Sequence, residues 1–243
     1  MKAIILAAGR GSRMRRMTDD RPKCLVEFQG RALLDRQIDS LRAAGIQEIG
    51  IVTGYRREML ANRASREFHN PRWAETNMVS SLACAEDWLS RERCIISYSD
   101  IFYEPKAVSL LMDSRADLAI TYDPDWLEIW RKRFADPLSD AETFRLNADG
   151  TLAEIGDKAG STQAIEGQYM GLLRIGPAGW AEIARIRDSL PDDTRDRMHM
   201  TGTLQAIIQA GRMPVEAVPY RGTWGEIDNE TDLQAYERDI TSP

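Results

Sequence analysis

The sequence is poor in cysteine: Cys24, Cys84 and Cys94 are its only three, and none stands in a C-x-x-C spacing. An odd, scattered set supports neither a disulfide framework nor a cysteine-based zinc site, and it fits a reducing cytosol. Histidine is scarcer still. With His69 and His199 alone, a Ser-His-Asp hydrolase is unsupported and no H-E-x-x-H metal pair can form. The chain enters a strand pattern at once, without a charged leader, and never runs to the roughly eighteen consecutive apolar residues of a membrane span. Export by a signal peptide and membrane insertion are therefore not expected, and a cytoplasmic location is. The formal charge is −6, which argues against nucleic acid or a membrane surface as partner. Two familiar phosphate loops are also missing. There is no G-x-x-x-x-G-K-[ST], and Met14 stands where a dinucleotide fingerprint places its third glycine.

What is present is concentrated in Lys2 to Glu27, KAIILAAGRGSRMRRMTDDRPKCLVE. The apolar run Ile4-Ile5-Leu6 leads into Ala7, Ala8, Gly9 and Gly11, and Arg10, Ser12, Arg13, Arg15, Arg16 and Lys23 follow. Small residues after a strand let backbone N–H groups approach an anion, and the basic side chains supply the charge a triphosphate needs. A solvated basic turn fits the same residues equally well. The decision rests on what the remainder of the chain places beside this loop.

Downstream, apolar positions at helical period from Leu33 to Ala44 predict a helix stopped by Gly45, and Glu48 to Thr53 reads as a strand ending at Gly54. The region from Arg57 to Phe68 reads as helical. Strand, helix and strand at this spacing imply a parallel sheet, with ligands beyond the strands' carboxyl ends. Asn77 or Thr76 can cap a helix to about Leu89, with Asn77 and Ser81 facing a nucleotide. Cys94 to Tyr98 is a buried strand that ends in Ser99-Asp100, and Pro105 to Asp113 is a helix.

Beyond Leu118 to Thr121, another strand, the pattern changes. Asp123 to Asp140 carries charge, proline, Trp126 and Trp130, and reads as a flap or insertion over the site. Thr143 to Leu146 and Leu152 to Ile155 form a hairpin around Asn147-Ala148-Asp149-Gly150, followed by Lys158. Strands end at Ile175 and Val218, and a further one ends at Glu226-Ile227-Asp228 before a closing helix. No linker divides the 243 residues, which suit a single α/β domain: about 1–122 for nucleotide and about 123–243 for the acceptor. Asp100 and Asp228, each past a strand's carboxyl end, are the candidate pair for Mg²⁺ beside phosphates.

LAAGRGSRM from Leu6, RPKCLVE from Arg21, SDI from Ser99 and GEID from Gly225 together resemble the nucleotidyltransferases that activate sugar and alcohol phosphates. Asn77, Ser81-Leu82, Lys158-Ala159-Gly160 and Glu226-Ile227-Asp228 bring the likeness nearer to the phosphocholine cytidylyltransferase-like branch. The resemblance implies a nucleotide-diphospho-sugar-transferase (GT-A-like) α/β fold, a Rossmann-like, mostly parallel mixed sheet flanked by helices. It also implies CTP as donor and pyrophosphate as product. Residues Leu6 to Arg13, Lys23, Gly54, Asn77, Ser81 and Ser99 would hold the nucleotide, and Asp100 with Asp228 would hold Mg²⁺. Lys23, Arg13 and Lys158 would steady the reacting phosphates.

Trp126, Trp130, Lys158, Glu166, Gln168, Tyr169, Met200 and Glu226 are the expected acceptor contacts. DPLSDAETF from Asp136, EGQYMGL from Glu166 and MTGTLQ from Met200 look more like enzymes acting on phosphonates or phosphorylated amino-acid derivatives than on choline phosphate. Two other readings stay open: a sugar-1-phosphate nucleotidyltransferase serving glycan synthesis, and a non-catalytic nucleotide-binding subunit. A homodimer is compatible with either. Lys23→Ala is expected to lower turnover more than stability.

Overall fold

The computed structural model describes residues 1–241; the side chains of Arg15 and of residues 237–241 lie outside the described set. Seven strands form the central sheet: β1 (Lys2–Ala7), β2 (Ile49–Thr53), β3 (Arg66–His69), β4 (Cys94–Tyr98), β5 (Leu118–Asp123), β6 (Gln168–Ile175) and β7 (Glu216–Pro219). Their spatial order is β7-β5-β6-β4-β1-β2-β3. Every neighbouring pair is parallel except those made by β6, which runs antiparallel between β4 and β5. The sheet is mixed and mostly parallel, as expected. A strand from the second half of the chain thus sits inside the sheet begun by the first.

Burial follows from this order. In β1, residues Ala3 to Ala7 are buried, and β2 and β5 are buried throughout. Strands covered on both faces favour apolar runs, as in β1 and the start of β5, and the buried polar Thr121 and Asp123 of β5 are hydrogen-bonded to the Leu172 carbonyl and the Trp224 Nε1. Helices Leu33–Ala43 and Pro105–Asp113 form as expected, the first followed by Gly45 at φ 99. The hairpin also forms, from Glu142–Leu146 and Leu152–Lys158.

Three segments depart from the sequence reading. Between Arg57 and Phe68 the helix is confined to one 3-10 turn, Arg57–Leu60, and the remainder becomes β3. Asn62 at φ 62 breaks the period, while Phe68 packs edge-on against Trp88 with ring centroids 5.1 Å apart. Pairing β3 with β2 also covers an otherwise open sheet edge. The helix after Asn77 is divided into Met78–Ala83 and Glu86–Leu89, with Ala85 at φ −100 and ψ 20 between them. The third departure is the expected flap. Residues Leu127–Arg133 are helical, and Trp126 and Trp130 are core residues, 3% and 1% exposed.

Candidate active site

A small ribbon beside the main sheet assembles the acidic centre. Strand Ile101–Tyr103 pairs antiparallel with Trp224–Glu226, Glu226 opposite Ile101, and the Ile227 amide donates to the Asp100 carbonyl at 2.9 Å. Residues far apart in the chain are thereby brought side by side. Asp100, Glu226 and Asp228 each offer a carboxylate oxygen within 4.8 Å of the others. The turn carrying Asp100 is clamped from below by Gln37, whose side-chain amide donates to the carbonyls of Tyr98 and Ile101 at 2.9 and 2.5 Å.

Lys23 reaches this centre from the N-terminal loop. Its Nζ donates to Asp100 Oδ2 at 2.8 Å and to Asp228 Oδ1 at 2.5 Å, and the residue is only 6% exposed. Burial opposes the Lys23 charge, but the two carboxylates outweigh it and raise its pKa. Burial likewise opposes the charge on Asp228, yet Lys23, Arg13 and Arg133 hold its pKa below the ordinary value. Arg13 contacts Asp228 Oδ2 at 2.9 Å. Glu226 is different. Burial, reinforced by Asp228 and Asp100, pushes its carboxyl up to about 8.

Behind the carboxylates lies Arg133, its side chain fully buried. It donates to both oxygens of Asp232 at 3.0 and 3.3 Å and to Glu226 at 3.1 Å. Asp232 in turn accepts from the backbone N–H groups of Asp228 and Asn229 at 2.8 and 3.1 Å. The donor set fits a hard divalent cation. Oxygen ligands are the kind such ions prefer, and Asp100 Oδ1 is buried with no hydrogen-bond partner.

Two cavities meet here. The first, about 300 Å³, is walled by Leu6, Ala8, Gly9, Gly11, Ser12, Arg13 and Lys23 on one side and by Trp73, Thr76, Asn77, Met78 and Ser81 on the other. Tyr98, Ser99 and Asp100 complete it. Gly11 adopts φ 74, and a Cβ there would lie 2.7 Å from the Lys23 side chain, so the glycine admits the lysine stem. The second cavity, about 240 Å³, shares Arg13, Met78 and Tyr98 with the first. It adds Asp140, Glu142, Gln168, Tyr169, His199, Met200, Thr201, Trp224, Glu226 and Asp228, among others.

Most expected nucleotide contacts therefore line the first cavity, with three exceptions. Ala7 is buried within β1, and Arg10 turns away to pair with Asp19 at 2.6 Å. Gly54 lies beneath the wall: a Cβ on it would stand 2.5 Å from Trp73 Cβ and 2.6 Å from the Ala8 carbonyl oxygen. Gly54→Ala must push apart the two sides of the first cavity. It is expected to cost about 1–3 kcal/mol and to weaken nucleotide binding; unchanged denaturation midpoint and nucleotide affinity would refute this.

Of the expected acceptor contacts, Gln168, Tyr169, Met200 and Glu226 line the second cavity, and Glu226 also joins the acidic centre. Four others do not line it. Trp126 and Trp130 pack in the core, because two rings one helical turn apart on an apolar face bury more favourably than they hydrate. Glu166 accepts from the Leu146 N–H at 2.6 Å and braces the hairpin. Lys158 is exposed at the hairpin's end.

Sequence reasoning passed over Gln37, Asn70, Trp73, Arg133 and Glu142. Asn70 is 4% exposed and donates to Thr76 Oγ1 and Ser81 Oγ, both at 3.0 Å, so it sets two wall residues of the first cavity. One signal was available for Arg133. It continues the helical face of Trp126 and Trp130, where a charge needs a buried partner.

A glycine loop, a buried lysine and a carboxylate cluster near the carboxyl ends of a mixed, mostly parallel sheet are the site of an α/β nucleotidyltransferase fold, with oxygen donors suited to a metal beside the first cavity. The MobA-like NTP transferase domain family matches residues 3–153, and the chain belongs to that family. The chain is 39% identical to a CTP:phosphoglutamine cytidylyltransferase from Campylobacter jejuni, covering 96% of this chain and 98% of that one. It is 27% identical to a 2-aminoethylphosphonate cytidylyltransferase from Lancefieldella rimae, over 97% and 91%. The solved CTP:phosphocholine cytidylyltransferase of Streptococcus pneumoniae superposes with a TM-score of 0.72 at 19% identity, covering 99% of both chains, a likeness of fold. No helix among the described residues is long and apolar enough to cross a membrane.

Proposed function

We propose that this protein is a cytidylyltransferase that joins CTP to a small phosphorylated or phosphonate acceptor and releases pyrophosphate. The observation that carries the reading is Lys23 bridging Asp100 and Asp228 where the two cavities meet. The 39% identity over nearly all of both chains supports CTP as donor. In this reading the first cavity takes the nucleotide and the second takes the acceptor.

The reaction forms a bond from an acceptor phosphoryl oxygen to the α-phosphorus and breaks the bond to the β-phosphate oxygen. An acceptor phosphate with a second pKa of about 6 is already mostly ionised at neutral pH, so no general base is required. The difficulty is repulsion between two anions. Mg²⁺, held by Asp100 and Asp228 with Glu226 adjacent, would supply charge neutralisation at the phosphates. Lys23 fixes the two carboxylates and adds its own charge, and Arg13, which lines both cavities and pairs with Asp228, would add charge where the two substrates meet.

Pyrophosphate release measured with CTP, UTP, dTTP and GTP against phosphonates, phosphorylated amino-acid amides, choline phosphate and hexose 1-phosphates tests the reading. CTP with a small non-sugar acceptor is the expected best pair. Exclusive turnover of a hexose 1-phosphate, or no metal-dependent release with any pair, would overturn it.

A further inference from the structure

The two cavities are joined by a seam that neither of them contains. On one side is helix Met78–Ala83 with the residues before it: Thr76, Asn77 and Met78 line the first cavity, and Met78 lines the second as well. On the other side is the segment Asp196 to Met198, which runs directly into His199, Met200 and Thr201 of the second cavity. The Asn77 N–H donates to the Asp196 carbonyl at 2.7 Å, and the Val79 N–H to the Met198 carbonyl at 3.4 Å. The Asn77 side-chain amide donates to the Arg197 carbonyl at 3.3 Å, while its oxygen accepts from the Met78 N–H at 2.7 Å. Asn77 thus directs its backbone donor and its side-chain amide across to the second half of the chain.

Arg72 closes the same seam. Its Nη2 donates to Asp196 Oδ2 at 2.6 Å, between residues 124 apart in the chain. Its backbone braces the first cavity: the Arg72 carbonyl accepts from the Thr76 N–H and hydroxyl at 3.0 and 2.9 Å, and its N–H donates to Asn70 Oδ1 at 2.9 Å. Asp196 stands three residues before His199, so one ion pair ties the wall of the first cavity to the chain that enters the second. Arg72 is exposed, and an ion pair with an exposed partner contributes little to global stability. It can still fix the relative placement of two walls, because contiguous hydrogen-bonded contacts carry coupling between sites.

We propose that Arg72 and Asp196 are positioning residues that make the two cavities one unit, so that a ligand seated against Thr76 to Met78 also orders the wall from His199 to Thr201. Neither residue lines either cavity; both act through the seam. The inference rests on the cytidylyltransferase reading given above, in which the nucleotide in the first cavity prepares the second for the acceptor. By reciprocity, an acceptor then raises the affinity for the nucleotide by the same factor.

Amide hydrogen exchange reads the coupling without an acceptor, with α,β-methylene-CTP and Mg²⁺ as the probe. Two stretches are compared: residues 8–13, beside the first cavity, and residues 198–203, beside the second. In the wild type the analogue is expected to slow exchange about fivefold or more at both, the lower end of coupling between sites. Arg72→Met and Asp196→Ala should each keep the slowing at residues 8–13 and lose most of it at residues 198–203. Both should melt close to the wild type, which separates coupling from folding. The double variant Arg72→Asp with Asp196→Arg restores the ion pair in reverse and should recover part of the slowing. Slowing confined to residues 8–13 in the wild type, or undiminished at residues 198–203 in either single variant, would overturn the inference. Absence of slowing at residues 8–13 would overturn it together with the nucleotide reading of the first cavity. Slowing at both stretches without pyrophosphate release from any pair of donor and acceptor would uphold the coupling and overturn the transferase reading instead.

Discussion

Lys23→Ala is expected to lower kcat with CTP by about 10²–10³-fold, the range for removing one preorganised charge from a transition state. The structure adds an effect on stability. Lys23 is buried between Asp100 and Asp228 at 2.8 and 2.5 Å, so its removal leaves two carboxylates facing each other without their common cation. Breaking such a buried pair costs about 3–5 kcal/mol. The sequence alone suggested that turnover would suffer far more than stability; with the lysine buried, both suffer in metal-free protein. Mg²⁺ should offset part of the loss by engaging the same carboxylates, so it should raise Tm more in the variant than in the wild type. Thermal melts with and without Mg²⁺, beside single-turnover pyrophosphate release, check both halves. An unaltered rate would remove Lys23 from the reaction, and an unaltered Tm without metal would show that the carboxylates are not compensated by it.

That difference marks what could be read from the sequence. The glycine-rich loop that lines the first cavity was legible because its requirements are local: a strand, small residues and basic side chains in close succession from Ile4 to Lys23. Asp100 and Asp228 were legible for a similar reason, each following a strand. Their adjacency depends on the ribbon that pairs Glu226 with Ile101, and such pairing is invisible to a local pattern. The burial of Lys23 is equally non-local, since it follows from Gly11 making room for the lysine stem and from both acids converging on its end.

The misread segments share a cause. From Arg57 to Phe68 the local pattern permits a helix, and the unpaired edge of β2 converts its end into a strand. From Asp123 to Asp140 the charge, proline and tryptophan suggested a flap or insertion at the site. In fact Trp126 and Trp130 enter the core, and the helix they anchor delivers Arg133 to the back of the acidic centre. The lining of the second cavity was the least legible part. Asp140, Glu142, His199 and Trp224 come from different elements and meet in one lining only after folding.

Arg133→Met is expected to cost as much stability as Lys23→Ala, for a different reason. The guanidinium is fully buried and bonds Asp232 and Glu226, while Asp232 is 0% exposed and holds the backbone N–H groups of Asp228 and Asn229. Methionine preserves much of the volume and removes the cation, so the loss reports charge compensation rather than a cavity. The expected cost is about 3–5 kcal/mol, on the order of 10 °C in Tm for a chain of this size. Catalysis should fall for a separate reason: with Asp232 uncompensated, the turn that presents Asp228 loses its anchor. The Mg²⁺ concentration giving half-maximal activity should therefore rise, while the KM for CTP at saturating Mg²⁺ changes little. Arg133→Lys retains the charge but not the fork that spans Asp232 and Glu226, so it should recover stability only in part. If Arg133→Met melts with the wild type and keeps its Mg²⁺ dependence, the carboxylates are positioned by the ribbon and Gln37 alone, and Arg133 is a packing residue whose charge the site does not use.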